Sequence, residues 1–312
     1  MGGSRWADEN YTARSALRAS KGVSAFAYTD DLRKQSVDTW KCHPQLDPKG
    51  VKVRESRDSE AHPTSRAIAV LFDITGSMQI VPQILQKKLP PLMNLLIKKG
   101  YVEHPQIMFG AIGDATCDKV PIQIGQFESG IEMDDDLSRI MLEGGGGGQK
   151  TESYELSAYF MARHTALDCF EKRKEKGYLF IIGDEMCYPC VSKEEVKNLI
   201  GDNLEKKIST ADIFTELKKT FEVFYLLPGG TDHAGDPQVW QSWTKLVGQN
   251  ALRLDSPESV CETLALTIGM YEGKTDLNRG EEDLVGAGIS KATAKEAKKA
   301  LSGFGGRKLV LE

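Results

Sequence analysis

The chain of 312 residues carries 40 Lys+Arg against 45 Asp+Glu, a formal charge of −5, with 40% hydrophobic and 27% charged residues. This is the make-up of an ordinary globular protein with enough chain to bury a large core. The acidic balance argues against nucleic-acid binding through a basic surface. The longest apolar run, 67–72, is far short of the roughly 18 residues of a membrane-crossing helix, so neither nucleic acid nor membrane is an expected partner.

The first residues, Met1-Gly2-Gly3-Ser4-Arg5-Trp6, contain neither an apolar secretory region nor the hydroxyl that a myristoylation signal places sixth, so the expected location is cytoplasmic. Six cysteines (Cys42, Cys117, Cys169, Cys187, Cys190, Cys261) are too sparse for a disulfide scaffold and read as reduced thiols. Cys187-x-x-Cys190 leaves a redox pair, a partial zinc site with Cys117, or plain loop thiols open.

The polar stretch before Ala67, with scattered aromatics (Trp6, Phe26, Tyr28, Trp40), reads as an irregular N-terminal arm, 1–65, packing on a larger body. From Ala67, apolar runs rich in β-branched and aromatic residues alternate with helix-period segments. That alternation predicts an α/β fold with a doubly wound, mostly parallel six-stranded sheet. Strands are expected at 66–73, 106–114, 121–127, 178–184, 222–227 and 251–254.

Helices are expected at 81–99, 135–143, 152–166, 193–200, 211–219, 238–246 and 257–271, the first kinked at Pro90-Pro91. The link 115–120 is too short for a helical crossover, so the second and third strands should form a hairpin and make one edge strand antiparallel. The main domain then runs over 66–272. Residues 273–312 read as an extension with one solvated helix, 290–301.

In a sheet of this kind ligands collect beyond the carboxyl ends of the strands, where the winding reverses. The first strand ends in Asp73-Ile74-Thr75-Gly76-Ser77, a carboxylate and two hydroxyls at alternate positions. The fourth ends in Gly183-Asp184-Glu185. Between them a loop, 144–148, leads through Gln149-Lys150 to Thr151, with Ser153 as an alternative hydroxyl. Such hard oxygens suit Mg²⁺ or Mn²⁺.

These residues resemble the von Willebrand factor A family, whose metal-ion-dependent adhesion site (MIDAS) combines Asp-x-Ser-x-Ser after the first strand, a Thr in a Gly-rich loop and an Asp after the fourth strand. Here Thr75 stands for the first Ser, and Gly183-Asp184-Glu185 for the usual Thr-Asp-Gly. The resemblance implies a metal site of Asp73, Thr75, Ser77, Thr151 and Asp184 holding Mg²⁺ (or Mn²⁺ or Ca²⁺). It also implies a Rossmann-like fold with a non-enzymatic adaptor role, in which a protein partner presents Asp or Glu to the metal. Some intracellular members of the family work as adaptors beside ring-shaped AAA+ ATPases of the MoxR type, and the resemblance implies such a partner here.

The rival is a nucleotide-binding ATPase using Lys150, Thr151 and Asp184. The segment 144–151 misses the phosphate-loop pattern by one residue, with Gln149 where the second Gly belongs. The acidic, helix-like stretch before it also lacks the buried strand that such a loop must leave. No Gly-x-Ser-x-Gly is present, and the five histidines match no catalytic spacing.

Overall fold

The computed structural model describes residues 4–145 and 148–304, with Ser77 described by its backbone only. Six strands form the central sheet: β1 Ser65–Asp73, β2 His104–Ile112, β3 Ile122–Ile124, β4 Gly177–Ile182, β5 Phe221–Pro228 and β6 Ala251–Leu254. Their order is β6-β5-β4-β1-β2-β3. All neighbours run parallel except β3, which is antiparallel to β2 and forms one edge. The doubly wound, mostly parallel α/β fold expected from the alternation of apolar runs is therefore the fold observed, including its antiparallel edge strand.

β1 lies at the centre, in register with β2 from Ser65↔His104 to Asp73↔Ile112 and with β4 from Ile68↔Tyr178 to Phe72↔Ile182. Its run 67–72 is fully buried, because helices cover both faces of the sheet. Side chains alternate between two cores. Ile68, Val70 and Phe72 pack with Val81 and Leu85 of the helix Ile80–Lys87 and Leu264 and Ile268 of the helix Val260–Tyr271. Ala67, Ala69 and Leu71 pack with Leu156 and Phe160 of the helix Tyr154–Arg163, with Phe214, and with Trp243 of the helix Pro237–Val247. Fully burying each large apolar side chain contributes roughly 1.5–3 kcal/mol, so this strand anchors both layers.

Three expectations change in detail. The predicted helix over 81–99 is broken into Ile80–Lys87, Leu89–Met93 and a wider turn, Asn94–Lys98. Pro90 and Pro91 supply no N–H to bridge the first break. The N-terminal arm is not irregular: it contains the helices Asp8–Lys21 and Ala27–Arg33. The first of these buries only Tyr11 and holds on through polar contacts, with Arg18 on Asp134 at 2.5 Å, Arg14 on Asp135, and the Tyr11 hydroxyl donating to the Gln86 carbonyl at 2.6 Å. An apolar period could not reveal it.

The tail contains a helix that was not expected, Leu277–Gly286, ahead of Lys291–Ala300. Leu284, Ala294, Ala297, Leu301 and Phe304 join the core on the Ile68–Phe72 face. This segment is thus part of the body as far as Phe304 rather than a solvated extension. Among the described residues no helix is long and apolar enough to cross a membrane.

Candidate functional site

The chain winds away from β1 on both sides, to β2 and to β4, so the crevice between the ends of β1 and β4 is the topological switch point. Asp73 closes β1 and Asp184 follows β4; they are 0% and 1% exposed. The Gly-rich loop reaches the same place. Gly76 N–H donates to the Gly145 carbonyl at 3.2 Å, and Thr151–Glu152 pairs in parallel with Met186–Cys187, just past Asp184. Three of the predicted segments therefore converge. The hydroxyl of Ser77 and the residues Gly146 and Gly147, all part of the predicted constellation, lie outside what the structure describes.

Asp73 is held on both oxygens. Thr75 donates its N–H and its hydroxyl to Oδ1 at 2.7 and 2.5 Å, and the Tyr154 hydroxyl donates to Oδ2 at 2.6 Å. Burial nevertheless lifts the carboxyl to about 6, against these hydrogen bonds, and Asp184 adds to the lift. Asp184 Oδ2 accepts the backbone N–H of His233 at 3.0 Å. Thr151 is half-buried and pairs with Met186, two residues past Asp184. Ser153, the alternative hydroxyl, is buried and accepts the Ala115 N–H at 2.9 Å, which ties it to the turn after β2.

The departure at Gly183 has a steric reason. A Cβ there would stand 2.1 Å from the Tyr154 hydroxyl, so only glycine lets Tyr154 reach Asp73. The loop after β4 is braced from below. Tyr225 donates to the Gly183 carbonyl at 2.7 Å and Trp243 Nε1 to the Glu185 carbonyl at 2.7 Å, with the two rings stacked at 3.9 Å.

Several residues escaped the sequence reading. Asp114-Ala115-Thr116 repeats the bonding of Asp73-Ile74-Thr75 at the neighbouring strand end: Thr116 donates N–H and hydroxyl to Asp114 Oδ1, both at 2.8 Å. Tyr188 and Gln149 also donate to Asp114. The shared Asp-x-Thr was the signal that could have found it. Glu152 and Glu185 are 1% and 8% exposed. Burial and neighbouring carboxylates push Glu152 up to about 11 and Glu185 to about 8. These shifts mark a pit crowded with acidic groups.

The rival arrangements find less support. The Gly-rich loop follows the helix Glu132–Arg139 and an irregular stretch instead of a strand, and Lys150 is paired with Asp236. All six cysteines are free thiols. Burial and the Glu155 charge push the Cys187 thiol well up, and burial with Asp118 pushes Cys117 to about 12, so neither is an activated nucleophile. Among the described residues no three His, Cys, Asp or Glu side chains form a ready cage for an ion. A site built on hydroxyls and two aspartates does not need such a trio.

No family model matches the chain, and no curated protein matches it. Among solved structures it is similar to the open conformation of the pilus adhesin SpaC from Lactobacillus rhamnosus GG, at 10% identity and a TM-score of 0.44, over 69% of this chain and 31% of that one. A second structure of that adhesin gives 12% identity and 0.45, over 69% and 32%. Proximal thread matrix protein 1 from the mussel byssus gives 11% and 0.43, over 69% and 49%. The chain spans about a third to a half of the length of these proteins.

Proposed function

We propose that the chain is a von Willebrand factor A-like module that binds a protein partner through a divalent cation, Mg²⁺ or alternatively Mn²⁺ or Ca²⁺, at the ends of β1 and β4. The observation that carries this reading is the pair of buried aspartates, Asp73 and Asp184, meeting the 148–151 segment at the switch point of the sheet. The donor set is all oxygen, which fits a hard cation.

Asp73, Ser77 and Thr151 would hold the cation directly or through water, with Asp184 and Thr75 beside them. Bound there, the ion would offer an open position to a carboxylate and offset its charge. The protein's own part is to prepare that place. Thr75 and Tyr154 fix the Asp73 carboxylate from both sides, so it cannot turn away. Gly183 admits Tyr154, and Tyr225 and Trp243 hold the Asp184 loop against the sheet. A ring-shaped AAA+ ATPase of the MoxR type as a co-worker rests on the resemblance alone.

The test is titration calorimetry with Mg²⁺, followed by an acidic peptide bearing exposed Asp or Glu. Mg²⁺ should bind, the peptide should bind only with Mg²⁺ present, and EDTA should reverse it. Asp73→Ala should lose both while keeping the circular dichroism of the wild type. Peptide affinity unchanged by EDTA or by Asp73→Ala sinks the reading.

A further inference from the structure

Six carboxylates gather at the carboxyl end of the sheet: Asp73, Asp114, Asp118, Glu152, Asp184 and Glu185. One cation at Asp73 and Asp184 engages two of them. Asp114 is satisfied by Thr116, Gln149 and Tyr188, and Asp118 Oδ2 accepts the Asp114 N–H at 2.7 Å. Glu152 and Glu185 are different. On each, Oε2 is buried and has no hydrogen-bond partner among the described residues. Buried anionic oxygens without donors are costly unless a proton or a cation joins them.

The two glutamates come from neighbouring segments, since Thr151–Glu152 pairs with Met186–Cys187 and Glu185 immediately precedes that pair. They are near enough for the charge of Glu185 to bear on Glu152, and that of Asp73 on both. Among the described residues neither pairs with Lys or Arg. The basic group facing Glu185 is His233, with Nε2 3.8 Å from Oε1, while the adjacent Lys150 is taken by Asp236.

We propose that Glu152 and Glu185 jointly hold a second hard divalent cation, of the Mg²⁺, Mn²⁺ or Ca²⁺ class, beside the place assigned to the first. Two carboxylates completed by water are a usual protein contribution to a Mg²⁺ shell. The second site stands on these two glutamates whether or not Asp73 binds metal. Together the two would make the sheet end a two-cation centre, with the glutamates balancing the second ion.

The experiment is Mn²⁺ titration of the metal-depleted full chain, read by calorimetry and by electron paramagnetic resonance of free Mn²⁺, for wild type, Glu152→Gln/Glu185→Gln and Asp73→Ala. Glutamine keeps the shape and removes the repulsion, so the double variant should melt at or above the metal-free wild type; if it does not fold, the single Gln variants replace it. Two Mn²⁺ per wild-type chain, falling to one in the Gln variant, is expected. One Mn²⁺ that survives Asp73→Ala and disappears in the Gln variant also supports the second site, and counts against the first. A Mn²⁺ count equal in wild type and Gln variant overturns the proposal.

Discussion

Metal-free protein should lose stability as pH rises, and Mg²⁺ should restore it. Asp73 stands at about 6 in the fold against its ordinary 3.8, and Glu185 at about 8 against 4.5. Both native pKa values lie above the unfolded ones, so the folded state binds more protons, and stability falls as pH climbs from the unfolded to the native value. At roughly 1.4 kcal/mol per pH unit, the Asp73 displacement corresponds to about 3 kcal/mol, lost between pH 3.8 and 6. For Glu185 it is about 5 kcal/mol, lost between 4.5 and 8. Carboxylates held low by partners, such as Asp58 beside Arg173, lose their contribution only at more acid pH, so the window from pH 5 to 8 isolates the raised groups.

A cation that takes the place of these protons binds the deprotonated form, so the Mg²⁺-induced rise in Tm should be larger at pH 8 than at pH 5. Only the part of the Asp73 displacement between pH 5 and 6, about 1.4 kcal/mol, falls inside that window; at roughly 2–4 °C per kcal/mol for a domain of this size, the Asp73 share alone is a difference of about 3–6 °C. Differential scanning calorimetry across the window, with and without Mg²⁺, measures it. A metal-free Tm that rises from pH 5 to 8, or a Mg²⁺ effect equal at both ends, would refute the reasoning.

Tyr154→Phe removes the donor to Asp73 Oδ2, so it should raise the Asp73 pKa further and cost about 1.5–3 kcal/mol in denaturant unfolding at neutral pH. Gly183→Ala should cost about 1–3 kcal/mol and weaken Mn²⁺ binding, because its methyl group displaces the Tyr154 hydroxyl; calorimetric titration of the variant checks it. Leu284→Ala should cost about 2–5 kcal/mol in urea unfolding if the tail belongs to the core, and almost nothing if it is an appendage. ATP titration should show no saturable binding that Lys150→Ala removes, since that lysine is held by Asp236 and its loop leaves no strand.

The sheet was legible because each of its strands is a dense apolar run, and because the link between β2 and β3 is too short to permit a crossover. Asp73 and Asp184 were legible as strand-end carboxylates. The arm helix Asp8–Lys21 was not, since one buried Tyr11 and two arginine–aspartate pairs leave no apolar period to read. The Lys and Ala content of 290–301 reads as a solvated helix, yet Ala294 and Ala297 lie in the core, because small side chains let a helix press closely on it. Glu185 was visible only as the neighbour of Asp184, and Glu152 not at all, because burial of a glutamate is a tertiary fact, set by the pairing of 151–152 with 186–187.

The stacked pair under the Asp184 loop gives the molecule an optical readout. Trp243 donates its indole N–H to the carbonyl of Glu185 and lies face to face with Tyr225, while the sequence has three other tryptophans, Trp6, Trp40 and Trp240. Any shift of that loop changes the polarity and hydrogen bonding felt by one fully buried fluorophore. Trp243 therefore reports from within one hydrogen bond of the acidic pit, with no label attached.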